Sequence, residues 1–93
     1  MLRRDEERCR YELAVDGDVV AFAEFSDDGS VLTIPYIETA IAHRGHGFSA
    51  TLMDGVIDDV RTRGLRVLAT CPVARAHINA RASDLLADGE LQE

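Results

Sequence analysis

The stretch His43-Arg44-Gly45-His46-Gly47-Phe48-Ser49 marks the place where the chain changes its hydrophobic period. Before it, apolar and polar residues alternate in short runs. After it, Phe48, Leu52, Met53, Val56, Ile57 and Val60 recur at i, i+4, i+5, i+8, i+9 and i+12. That spacing is one stripe of an amphipathic helix, with Asp54, Asp58, Asp59 and Arg61 turned to water. Gly64 is the expected C-terminal cap, and Arg61 and Arg63 complement the helix dipole in the last turn. Glycines at 45 and 47 let backbone N–H groups point at an anion, to which the helix adds its positive end and Arg44 a charged fork. The same two glycines also suit a tight strand-to-helix turn that holds no ligand. No Lys-Ser/Thr pair follows, so this is not a Walker A loop, and a full Gly-x-Gly-x-x-Gly is absent.

Upstream, residues 9–15 (Cys-Arg-Tyr-Glu-Leu-Ala-Val) read as a strand, Asp16-Gly17 as a turn, and Asp18 to Phe25 as a second strand. Ser26-Asp27-Asp28-Gly29-Ser30 is a second turn, followed by an apolar run from Val31 to Ile37. Pro35 lies inside that run and cannot donate to a ladder, so it marks an edge, a bulge or a splay. Three strands with tight turns give an antiparallel meander. Downstream, Leu65 to Thr70 is a short strand stopped by Cys71-Pro72, and Val73 to Ala87 is an Ala-rich helix with Gly89 just beyond it. The expected fold class is α/β, order β-β-β-α-β-α, a mixed sheet with helices packed on it. The crossover from Val31 to Thr70 should be right-handed and place its two strands parallel.

A chain of 93 residues makes one domain, here residues 1–93 with a core of about 9–88. A hydrophobic fraction of 46% with 29% charged residues places it among folded globular chains and excludes a disordered one. The net charge is −7, and all ten bases are arginine. So acidic a chain lacks the basic face that nucleic acid binding needs. No apolar run matches a membrane span, and the charged N-terminus lacks the apolar stretch of a signal peptide, so a cytoplasmic protein is expected; a monomer is expected as well. Cys9 and Cys71 lie far apart, with no CxxC spacing and no cluster of metal ligands, so neither a disulfide scaffold nor a metal site is expected.

Arg44-Gly45-His46-Gly47-Phe48-Ser49 resembles the Arg/Gln-x-x-Gly-x-Gly/Ala signature of the GNAT superfamily of N-acetyltransferases, with Ser49 at the position of the last Gly or Ala. The helix from Phe48, the segment Gly64-Leu65-Arg66-Val67-Leu68 and then Cys71-Pro72 are similar to the small YjdJ-type subfamily, over about residues 9–81. That resemblance implies a minimal GNAT-like fold, acetyl-CoA or coenzyme A as cofactor, and acetyl transfer to a small-molecule or peptide amine. The chain departs from the subfamily at two places. Tyr36-Ile37-Glu38-Thr39 stands where His-Thr-Glu-Val is usual. After Cys71-Pro72 the usual Phe, Tyr, His and Pro are replaced, and Ile78 is kept.

The resemblance assigns the pyrophosphate to the N–H groups of residues 45–49. Pantetheine falls in a splay between the strand ending near Tyr36–Thr39 and the strand Leu65–Thr70. The expected cofactor-binding residues are Thr39, Arg44, Gly45, His46, Gly47, Phe48, Ser49, Cys71 and Arg75. Three residues are candidates for catalysis. Glu38 is a general base for the incoming amine, or a solvated loop carboxylate. Tyr36 is an acid towards the leaving thiolate, or a packed aromatic. Cys71 precedes a helix N-terminus, where the dipole favours a thiolate, and is either an acyl carrier or a small buried hydrophobe. Cys9 opens the first strand and is read as structural, and His77 as a surface imidazole. The acidic surface favours a cationic acceptor through steering alone. A different class of function, a non-catalytic coenzyme A-binding or protein-interaction module, fits the replaced motif residues as well.

Overall fold

The computed structural model describes residues 1–87. Its elements are β1 (Leu2–Asp5), β2 (Arg10–Val15), β3 (Asp18–Asp27), β4 (Val31–Thr39), a one-turn 3-10 helix (Ile41–His43), α1 (Phe48–Arg63), β5 (Arg66–Ala69), α2 (Pro72–Ala82) and a second 3-10 turn (Ser83–Leu85). The five strands form one sheet in the order β1-β2-β3-β4-β5, antiparallel up to β4 and parallel between β4 and β5.

Local chemistry accounts for most boundaries. Asp16 and Gly17 both take positive φ (53° and 86°), the two-residue turn whose twist matches a hairpin, and Val15 faces Asp18 across it. In the next turn the Asp28 carboxylate accepts the backbone N–H groups of Ser30 (2.9 Å) and Val31 (2.8 Å). α1 ends on Gly64 at φ 69°, whose N–H reaches the carbonyls of Val60 and Arg61.

Both helices pack on one face of the sheet. Tyr11, Leu13, Ala21, Ala23, Phe25, Leu32, Ile34, Val67 and Ala69 from the strands meet Leu52, Met53, Val56 and Val60 of α1 and Ala74, Ile78 and Ala82 of α2 in one buried cluster. On the other face Arg10, Phe22 and Leu68 are half-buried, and Glu24, Tyr36 and Arg66 are exposed.

Three sequence expectations need correction. The order β-β-β-α-β-α omits β1. In that strand Leu2 packs against Gly55 of α1, and Arg4 takes the next inward position with its guanidinium 4.4 Å from the Phe25 ring centre. An arginine in an apolar slot leaves no alternation to read. Cys9 lies in the Glu6–Cys9 turn at φ 54°, before β2 and not in it. The second helix ends at Ala82, five residues short of Ala87, because the backbone leaves the helical region there (φ −154°, ψ 50°) and Leu86 bridges to Val67 on the outer edge of β5. Gly89, expected as that helix's stop, lies outside the described residues.

Pro35 acts at the centre of the site. β4 pairs with β5 only from Val31 to Ile34, facing Arg66 to Ala69. At the same point Ile34 and Pro35 together oppose Phe25 of β3, because the register slips between Glu24–Tyr36 and Ser26–Thr33. The bulge bends β4, and the missing N–H ends the ladder. Beyond it, residues 36–39 pair with β3 on one side and with no strand on the other.

Candidate active site

The fork between β4 and β5 opens into a cleft of about 330 Å³. One wall is the bare edge of β4, with Tyr36, Ile37, Glu38 and Thr39; the turn and first residues of α1 supply Arg44, Gly45, Gly47, Phe48 and Ser49; Val73 closes it from α2.

The turn is held open by its own geometry. Gly45 (φ 88°) and Gly47 (φ 75°) are left-handed, and a Cβ added to either would meet nothing within 4 Å. Backbone conformation, and no packing partner, requires glycine there. The first helical N–H to find a carbonyl is that of Thr51, which donates to Gly47 at 3.1 Å. None of the N–H groups from Gly45 to Ala50 has a protein acceptor among the described residues, and Gly47 carries no capping side chain. This is a row of free donors at the positive end of a sixteen-residue helix. Arg44 donates from Nε to the Thr39 carbonyl at 3.2 Å, which pins it to the end of β4 with its two terminal nitrogens unspent. His46 stacks on the Phe48 ring at 5.6 Å and His43 sits 6.0 Å away, so the imidazoles brace the turn.

Tyr36 and Glu38 stand two apart on β4 and so share a face. The Tyr36 hydroxyl donates a hydrogen bond to Glu38 Oε1. That bond, followed by partial burial and the Glu38 charge, pushes the Tyr36 pKa above its ordinary value, so the phenol keeps its proton at neutral pH. Two groups weighed separately in the sequence are thus one hydrogen-bonded pair, and Glu38 belongs to a strand, not a loop.

The structure brings together eight of the expected residues: Tyr36, Glu38, Thr39, Arg44, Gly45, Gly47, Phe48 and Ser49. Three stand apart. His46 contacts Phe48 without lining the cleft. Arg75 borders a separate depression with Pro72, Ala76 and Asn79. Cys71 is the N-cap of α2, 9% exposed, with its N–H donated to Ile34 and its side chain among the core residues. His77 bonds Asp54 at 3.0 Å between the helices. Ile37 joins the site although it is not among the expected residues. Alternation places it on the helix-covered face, and only the unpaired edge beyond Pro35 lets both faces of β4 reach one cleft. No group of three or more His, Cys, Asp or Glu side chains able to hold a metal occurs among the described residues.

These features suit an elongated anionic cofactor: free donors and Arg44 for phosphate oxygens, open space above both glycines, and an unpaired strand edge for an amide-bearing arm.

This arrangement of a forked mixed sheet with a glycine turn at the fork defines the class. The family model described as GCN5-related N-acetyl-transferase matches residues 10–86, and the chain belongs to that family. Among solved structures it is similar to a ribosomal-protein-alanine N-acetyltransferase from Brucella melitensis biovar Abortus 2308, with a TM-score of 0.64 and 24% identity, covering 78% of this chain and 60% of that one. The chain therefore spans about three-fifths of that protein. It is also similar to a GCN5-like protein from Staphylococcus aureus solved by NMR, with a TM-score of 0.61 and 16% identity, covering 92% and 86% of the two chains. No curated protein sequence matches it. No helix among the described residues is long and apolar enough to cross a membrane.

Proposed function

We propose that the cleft binds acetyl-CoA and that the protein transfers the acetyl group to an amine, in the manner of a minimal enzyme of the YjdJ type acting in the cytoplasm. The observation that carries this reading is the convergence, in one cleft, of six unclaimed N–H groups, a bare strand edge and a hydrogen-bonded Tyr36–Glu38 pair.

Acetyl-CoA, when bound, supplies an acetyl thioester whose carbonyl carbon accepts an amine lone pair as the carbon–sulfur bond breaks. The chain's own residues bind charge and move two protons. The N–H groups of residues 45–50 and the terminal nitrogens of Arg44 hold phosphate oxygens. The free edge of β4 pairs with an extended amide arm as an added strand would. Glu38 takes a proton from the incoming amine nitrogen, and Tyr36 Oη gives its proton to the departing sulfur. The hydrogen bond between them returns the proton on Glu38 to Tyr36, so both residues end as they began. Cys71 is buried and does not line the cleft, which favours this direct transfer over an acyl-Cys71 route.

Calorimetric titration with acetyl-CoA, coenzyme A and desulfo-CoA tests the reading. Binding of all three at micromolar strength is expected, because the phosphate contacts are common to them. No binding by any of them overturns it. Binding with no acetyl transfer to any amine would favour the non-catalytic module.

A further inference from the structure

A second cavity, of about 240 Å³, lies on the uncovered face of the sheet and shares Glu38 with the cofactor cleft. Its other side chains include Arg10, Val19, Phe22 and Ala40. The sheet register explains the grouping. Arg10, Glu24 and Tyr36 form one cross-strand row, and Glu12, Phe22 and Glu38 the next, so Glu38 and Arg10 lie diagonally across Phe22.

The face is polarised along that diagonal. At the cleft end stand Glu38 and Tyr36 of β4, while Glu24 of β3 lies in the row between Tyr36 and Arg10 and lines neither cavity. At the far end Arg10 stacks over the Phe22 ring at 4.6 Å and gives Nε to Glu12 at 2.7 Å. Glu12, only 2% exposed, is also bonded by Arg3, so two guanidiniums share one carboxylate and the cluster keeps a positive charge. The two terminal nitrogens of Arg10 have no protein acceptor among the described residues. Between the ends, Phe22 and Val19 supply apolar surface. With strands about 4.8 Å apart, β2 and β4 put the two ends on the order of 10 Å from each other at the backbone, and the side chains shorten that gap.

We propose that this cavity is the acceptor pocket and that it selects an amine carrying an acidic group. The acid seats on the free nitrogens of Arg10, a short stem lies along Phe22 and Val19, and the amine reaches Glu38. The inference rests on the reading given under Proposed function, and it replaces the cationic acceptor that net charge alone favours with a bipolar one. Glu38 then works at the boundary of two compartments, one for each substrate.

The test measures thiol release from acetyl-CoA with a series of ω-amino acids from glycine upwards, their primary amides, and alkylamines of matching length. The best amino acid should exceed its amide in kcat/KM by about tenfold or more, the range of a charge-assisted, forked hydrogen bond. Arg10→Gln should bring that ratio to about one while acetyl-CoA affinity, read by calorimetry, stays at the wild-type value. Val19→Glu, on an exposed residue at the rim, should lower the ratio by placing a like charge beside the acid, and it keeps the test intact should Arg10→Gln fail to fold. Amides or alkylamines that match the acids in the wild-type protein, or a ratio that survives both substitutions, would overturn the proposal. Acetyl-CoA binding with no turnover of any of these amines would overturn it too, leaving cofactor binding in place. Loss of acetyl-CoA binding in the wild-type protein would overturn both readings.

Discussion

Replacing Gly47 by alanine separates the conformational demand of the turn from its role towards an anion. Gly47 holds φ 75° and ψ 18° at the N-cap of α1, and a Cβ there would meet no atom within 4 Å. Gly47→Ala therefore costs only the left-handed conformation of an L-residue, about 1–2 kcal/mol. In a domain of this size that lowers Tm by roughly 4–16 °C. Gly29, in the β3–β4 turn away from the cleft, sits at φ 92° with equally empty surroundings, so Gly29→Ala is a matched control. The two variants differ in where the new methyl stands: Gly47 lines the cleft and Gly29 does not. Acetyl-CoA should bind Gly47→Ala at least about tenfold more weakly than wild type, or about 1.4 kcal/mol, and Gly29→Ala with unchanged affinity. Thermal unfolding followed by circular dichroism measures the first effect, and calorimetric titration below both midpoints measures the second. Equal affinity in the two variants would place the anion elsewhere. Unchanged stability of Gly47→Ala would show that the turn relaxes and that its geometry is not enforced.

Tyr11→Phe should destabilise the fold by about 2 kcal/mol in urea titrations, because the buried hydroxyl donates to Asp59 at 2.7 Å and accepts from Arg4 at 2.8 Å. Stability should also fall in acid. Burial pushes the Asp59 carboxyl up, but the Tyr11 hydroxyl and the Arg63 and Arg4 guanidiniums hold it below its ordinary range. Burial is likewise outweighed at Glu12 by Arg3 and Arg10. Acids depressed in the folded state contribute in full above their unfolded pKa of about 4 and lose that contribution as pH falls through the folded value. From these groups the urea midpoint should be level between about pH 7 and pH 5 and drop below about pH 4, and Glu12→Gln should flatten the acid limb. A level midpoint down to about pH 3 would count against these pairs. In acetyl transfer, Glu38→Gln should lower kcat by about 100-fold or more with little change in acetyl-CoA affinity, whereas Cys71→Ala should retain turnover. The reverse pattern would transfer the chemistry to Cys71.

Much of this architecture can be read in the chain itself, and the failures share a physical cause. The stripe from Phe48 to Val60, the Gly64 cap and the Asp16-Gly17 hairpin are local signals, and the structure has each where the residues place it. Pro35 gives three possible readings, and the structure combines them: a bulge against β3, a splay from β5 and a bare edge beyond. β1 is hidden because Arg4 uses its flat guanidinium as an apolar group against Phe25 and Tyr11, which no hydropathy pattern registers. The end of α2 is set by Leu86 reaching β5, a contact nineteen positions away along the chain (67 to 86) that no nearby residue announces. The Tyr36–Glu38 pair is implicit in strand alternation. The cavity at Arg10 and Phe22 is not, since it depends on register across three strands, through two pairings that are each interrupted by a slip.

The order of strands across the sheet is also their order along the chain. Each pairing up to β4 closes a short turn, so the meander can form from local contacts alone, and low contact order favours rapid folding. Only β5 must wait for α1 to dock before it can pair, and α2 follows β5. The cleft spans that seam, with Tyr36 to Thr39 on the early side and Val73 on the late side. Refolding followed at Phe22 and Tyr36 should thus run ahead of the recovery of ligand binding, which waits for the last segment to arrive.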